Sequence, residues 1–410
     1  MIKKRGRRAV LAAALVLALP ACGEGFGGGP VPQQTGPAAL RVLISSSGEA
    51  ETRAVTAAAQ QWAAAEGHTV TVIPAQDIAQ QLGQALAGSD PPDVFYVDAA
   101  RFADYAAVGA LEPYAERLPA AGDFYPALRQ AFTYQNRFYC APKDFATLAL
   151  QVNGRLWARA GLGAADVPRD WAGLRTAASR VKAVGIVPLV LDSSFDRVGA
   201  FMLQAGGWPV SDDGTRATAD SPQNRQALEY VQGLLRDGLA RYPQQVDTGW
   251  AGEAFGRGMT AMTIEGNWIR GALAADYPGL AYTVHELPAG PAGPGTLSFT
   301  TCWGISARSR FKAQAVGFVE AMTTADAQLA FARAYGVMPS LVSARQAYLR
   351  EFPADEPFLA GADYARGPVN APHMDRVMSD FDSQLARLAV ADPAVMLRRL
   401  QRNITAALER

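Results

Sequence analysis

The stretch AFGRGMTAMTIEGNWI, residues 254–269, sets a short apolar run between Gly258 and Gly266 and ends on Asn267-Trp268. A tryptophan presented just past a buried strand offers a large, rigid, flat apolar face that loses little entropy when it is used. Acidic groups stand where other strands end. Ser46-Ser47-Gly48-Glu49 follows the run LRVLIS, and Asp98 closes VFYVD. Carboxylates accept hydrogen bonds from hydroxyl groups, and an arginine donates two in a fork. Flat faces with such groups at their edges make a non-covalent grip. The residues of covalent and metal chemistry are not assembled. His68, His285 and His373 are scattered, there is no H-E-x-x-H or C-x-x-C, and no G-x-x-x-x-G-K-[ST] loop to hold a nucleotide phosphate. Among the 38 acidic residues no pattern marks a carboxylate pair for glycoside hydrolysis.

The elements that must position these groups follow a repeating grammar. Leu40–Ser45 reads as a strand, Glu51–Glu66 as a helix ended by Gly67, Thr69–Ile73 as a strand, Asp77–Leu86 as a helix, and Val94–Val97 as a strand. Strands alternating with helices at this spacing pair in parallel, giving an α/β fold. Ligands of such sheets lie beyond the carboxyl ends of the strands, where Glu49 and Asp98 fall. The grammar restarts with a helix from Asp170 to Val184, a strand at Ile186–Leu191, and a helix opened by Ser221-Pro222. Two strand-like links, FATLALQV around Leu148 and LSFTTCWGIS around Cys302, join the blocks, and from Arg310 the chain reads as mostly helical.

The amino terminus carries Lys3, Lys4, Arg5, Arg7 and Arg8, then an apolar run of 11 residues to Leu19, then LPAC. The run is too short to span a bilayer and reads as an export signal. It resembles a bacterial lipoprotein leader, residues 1–21, with Cys22 as the lipid-bearing residue. An ordinary leader followed by a chance cysteine is the competing reading. Residues 22–39, rich in Gly, Pro and Gln, read as a flexible tether. Removing the five basic residues of the leader leaves 33 basic against 38 acidic, and no basic cluster marks a nucleic-acid surface. Export leaves Cys140 and Cys302 in an oxidising compartment, where an even count permits one disulfide or two buried thiols.

The stretch Phe255–Trp268, with Ala261-Met262 and Gly266-x-Trp268, resembles the signature of extracellular solute-binding proteins of sugar ABC importers. APKDFATLALQVN (141–153), LQAGGWPVSDDGT (203–215), GVMPS (336–340) and PDVFYVDA agree with it in order. The likeness is greatest to binders of maltose, trehalose and maltodextrins. It implies a periplasmic-binding-protein-like fold: two α/β lobes, 40–148 plus 305–343 and 149–304 plus 344–410, joined by a three-crossing hinge with a ligand cleft between them. It implies a monomer outside the cytoplasmic membrane, tied to it by lipid, that takes up carbohydrate without a cofactor and hands it to permease subunits. It also implies that the two links run side by side, so that Cys140 and Cys302 could be bonded.

On that frame the expected ligand residues are Glu49, Asp98, Asp144, Trp208, Trp250, Asn267, Trp268, Trp303 and Arg366. Gly266 is expected to allow a sharp turn that puts Trp268 on the cleft wall. Trp208 sits in a Gly-Pro loop expected to be open, and Trp303 adjoins the second link. Each has a plainer alternative: core packing for the tryptophans, a helix first turn for Glu49, a cap for Asp98, a Lys143–Asp144 pair for Asp144, and a solvated surface for Arg366. Trp62, Trp157 and Trp171 read as structural. A polyamine binder and a secreted glycosidase are the rival functions.

Overall fold

The computed structural model describes residues 31–410. The expected leader and Cys22 lie outside the described residues. A continuous path of strands runs in the order Thr69–Pro74, Ala39–Ile44, Val94–Asp98, Thr296–Ile305, Ala141–Asn153, Thr260–Gly266, Val187–Val190 and Ala240–Arg241. At one end Ala39–Ile44 is parallel to both its neighbours; at the other Val187–Val190 is parallel to both of its own. Between them the long strands Ala141–Asn153 and Thr296–Ile305 pair antiparallel and cross from one block to the other. These are the two links seen in the sequence.

Each parallel block has its own core. One gathers Val42, Ile44, Phe95, Phe102, Trp303 and Phe318; the other gathers Leu189, Phe201, Trp208, Leu228, Met262 and Phe381. The helices start where capping chemistry says they should. Asp77, Asp170 and Ser221 accept from the backbone N–H groups of Gln80, Gly173 and Asn224. Asp98 caps Ala99–Ala107 in the same way, through Ala100 N–H.

Near the carboxyl end of the stretch expected to be a tether, the backbone is held. Gln34 N–H donates to the Arg310 carbonyl at 2.8 Å, and Gln314 donates to the carbonyls of Gln34 and Gly36. Residues 33–36 are therefore docked beside the start of helix Lys312–Met322, because their polar backbone finds partners there. Cys140 and Cys302 form a disulfide, with Cα atoms 5.7 Å apart. It ties the chain just before the first crossing strand to the second crossing strand, inside the first core.

Candidate functional site

Strand Thr260–Gly266 is buried along its whole length and delivers Trp268 at its carboxyl end, at the start of helix Ile269–Asp276. Trp268 remains 39% exposed. Gly266 serves a different purpose from the expected turn, since its φ is not positive. A Cβ there would come within 2.2 Å of the Trp268 ring, so the indole lies directly on the glycine backbone. Three further contacts fix the ring. Its Nε1–H donates to Glu265 Oε2 at 2.9 Å, Phe299 meets it edge to face at 5.2 Å, and the Arg197 guanidinium lies 5.4 Å from its centre.

Phe299 leads from this platform to a cavity of about 120 Å³. Asp98 faces it from one block and Asp196 from the other, with Thr300 and Ser298 on the crossing strand between them. Both aspartates touch solvent, yet their recessed setting raises both carboxyl pKa values; mutual repulsion adds to the rise at Asp98. Ser298 Oγ is buried and has no hydrogen-bond partner. Pro368 lines this cavity and also a larger one of about 730 Å³. The larger one is walled by Tyr134, by the loop Trp208–Thr215, and by Arg366. The hairpin Thr133–Phe138 overhangs it, with Gln135 and Asn136 at positive φ in its tight turn.

A family model of bacterial extracellular solute-binding proteins matches residues 57–359. The chain belongs to that family. Among curated proteins this solute-binding protein is similar to the diacetylchitobiose binding protein DasA of Streptomyces coelicolor, at 24% identity over 272 residues. That match spans 64% of each chain, so slightly less than two thirds of the relative's length. Among solved structures it is similar to the cyclic alpha-maltosyl-1,6-maltose binding protein of Arthrobacter globiformis, with a TM-score of 0.81 at 21% identity over 91% of this chain and 100% of that one. It is also similar to the sugar-binding protein MalE of Xanthomonas citri, with a TM-score of 0.79 at 18% identity over 90% and 97%. The fold is thus periplasmic-binding-protein-like, and the family is one of binders rather than enzymes. Among the described residues no helix is long and apolar enough to cross a membrane.

The structure brings only some of the expected residues to the cavities. Asp98 stands at the smaller one, and Trp268 reaches it only through its contact with Phe299. Trp208 and Arg366 stand at the larger, with the Arg366 guanidinium 4.6 Å from the Trp208 ring centre and bonded to Asp212 at 2.8 Å. Trp208 is nevertheless only 6% exposed, because Phe195 packs against it; the Gly-Pro loop is not open. Trp303 is 1% exposed and is a core residue, wedged between Tyr96 and Phe318. Trp250 packs over Gly252 onto a small core of Phe255, Ile269 and Leu273. Glu49 is exposed and pairs with Arg53 one turn on. Asp144 is buried against Lys143, whose ammonium also reaches Glu51 at 3.0 Å. Burial alone would lower the Lys143 pKa; Asp144, Tyr96, Tyr335 and Glu51 reverse that and keep it charged. Asn267 is buried and donates to the Gly336 carbonyl at 3.3 Å, leaving its own Oδ1 without a partner.

Sequence reasoning missed Glu265, Arg197, Asp196 and Phe299. A signal existed for the first two. Glu265 interrupts an otherwise uncharged buried strand, and Arg197 interrupts the apolar helix Phe195–Gln204. Charges in buried elements need each other.

Proposed function

We propose that this protein is the carbohydrate-capturing subunit of an ABC importer, held by lipid on Cys22 at the outer face of the cytoplasmic membrane. Two lobes, 40–148 plus 305–343 and 149–304 plus 344–410, close about the crossing strands and enclose the ligand. The closed form then delivers the sugar to a pair of permease subunits. The cargo we favour is an α-glucosidic di- or oligosaccharide such as maltose, trehalose or a maltodextrin.

The observation that carries this reading is the exposed Trp268 platform, joined through Phe299 to the cavity lined by Asp98, Asp196 and the unpartnered Ser298 hydroxyl. A pyranose has C–H faces and hydroxyl edges. The indole matches the face, and the carboxylates and the hydroxyl match the edge. The larger adjoining cavity has room for further rings, with Tyr134 and Arg366 on its wall. The relatives named above are carbohydrate binders by name, which supports the class of ligand and not its identity. Two carboxylates at one cavity would also suit a polyamine, so the test includes one.

The test is a thermal-shift panel of maltose, maltotriose, trehalose, sucrose, cellobiose, xylobiose, diacetylchitobiose, glucose and spermidine. A ligand at ~100 times its dissociation constant adds roughly 2.7 kcal/mol of stability. A shift with a sugar that disappears in Trp268→Ala supports the reading. A shift with spermidine alone overturns it.

A further inference from the structure

Glu265 is the most deeply buried charge next to the platform, with no exposed side-chain surface. Its Oε2 accepts from Trp268 Nε1–H at 2.9 Å and from Arg197 Nη2 at 2.7 Å. Arg197 is itself fixed, donating from Nε to the Ile264 carbonyl at 3.1 Å, and its guanidinium lies over the same indole. Oε2 and the guanidinium thus hold Trp268 at its N–H and at its face. The backbone beside the carboxylate is held by Gln151, an uncharged amide of the first crossing strand. The charged groups facing Glu265 are Arg197 from helix Phe195–Gln204 and Asp192 from the loop before it, 3.6 Å from the guanidinium.

Packing does not need a carboxylate here. A buried charge is costly, and an apolar residue of similar volume commonly serves a core as well or better. What an apolar residue would lack is an acceptor aimed at the indole N–H. The other oxygen, Oε1, is buried and without a donor. A proton held between Glu265 and Asp192 would satisfy it. Burial is the main cause that lifts the Glu265 carboxyl to about 7; Arg197 opposes the rise and Asp192 adds to it.

We propose that Glu265 is the positioning residue of the Trp268 platform, and that a proton taken up at Glu265 loosens its hold on Arg197 and the indole and so weakens ligand binding. The second half rests on the sugar-binding reading above; the first does not. The direction follows from the contacts. The ionised carboxylate binds Arg197 and the indole strongly, and the neutral acid binds both less strongly. Ligand affinity is therefore full above the Glu265 pKa and falls as pH drops through it.

The ligand-free protein gives the first readout. The emission of wild type minus that of Trp268→Phe isolates this indole. It is expected to titrate with a midpoint near 7 and to lose that titration in Glu265→Gln. No titration, or one that persists in Glu265→Gln, overturns the proposal. The second readout is calorimetric, with the panel sugar of largest shift at pH 8 and pH 6. Wild type should lose roughly threefold or more in affinity and Glu265→Gln should lose nothing, while Glu265→Leu should bind about tenfold more weakly at both, one buried hydrogen bond having gone. The near-isosteric Gln variant keeps the test decisive if the Leu variant does not fold. Sugar affinity that ignores pH in the wild type overturns the proton link. An indole that titrates in a protein that binds no panel sugar overturns the sugar reading and leaves the positioning role standing.

Discussion

Replacing Gly266 with alanine tests the platform without touching any side chain that could meet a ligand. The new Cβ would stand 2.2 Å from Trp268 Cζ3 and 2.4 Å from its Cε3 and Cη2. Carbon atoms pack at about 3.5 Å or more, so the ring must retreat by more than about 1 Å. That retreat stretches the bond to Glu265 beyond hydrogen-bonding range and disturbs the edge contact with Phe299. A hydrogen bond to a charged group contributes about 1.5–3 kcal/mol and an aromatic pair about 0.5–1.5 kcal/mol. If half of that total is lost from the bound state, affinity falls by roughly fivefold to fortyfold. The assay is isothermal titration of wild type and Gly266→Ala with the panel sugar, alongside melting temperatures to confirm that both are folded. A folded Gly266→Ala that binds within about threefold of wild type would refute the argument that the glycine exists to seat the indole.

Other outcomes follow from the same contacts. Trp303→Phe should leave sugar affinity unchanged and lower the melting temperature, since Trp303 fills the first core and not a cavity; a selective loss of binding would return it to the ligand wall. Replacing Cys140 and Cys302 together with alanine should cost about 2–5 kcal/mol, because the bond closes a long loop within one core; denaturant unfolding measures it, and no loss would mean that the bond adds nothing. Stability should rise as pH falls from 8 towards 5.5. Burial raises Glu265 to about 7 and Asp382 to about 6, so the folded state takes up protons before the unfolded state does, and the gain accrues as pH falls through those values. Melting curves across that range check the sign. The sign also separates the two effects of acid, which should steady the fold while weakening the grip on sugar.

Much of the scaffold was legible because it is written in local patterns. Asp77, Asp170 and Ser221 marked helix starts through a single side-chain oxygen each, and β-branched runs marked the parallel strands. Trp268 was legible as a platform, but the reason for Gly266 was not, because a ring folding back on the residue two before it leaves no periodicity. Trp303 shows a second limit. Phe299 reaches a cavity, whereas Trp303, four residues later on the same strand, enters the first core. The register irregularity between Thr301 and Cys302 falls in that interval and upsets the alternation on which a face assignment depends. Asp144 and Glu49 were acidic groups at well-chosen addresses, yet Lys143 and Arg53 were close enough to claim them. A pairing that depends on tertiary approach, such as Lys143 with Glu51, cannot be read from spacing.

The most direct test of the account is a calorimetric titration at pH 8 of wild type and Trp268→Ala with the sugar that stabilises the protein most. The account predicts one site per chain in the wild type and a loss of at least about tenfold in the variant, since a well-packed aromatic face contributes 1.4 kcal/mol or more, roughly, to such a site. Equal affinity in the two proteins would contradict it and move the binding site away from the platform.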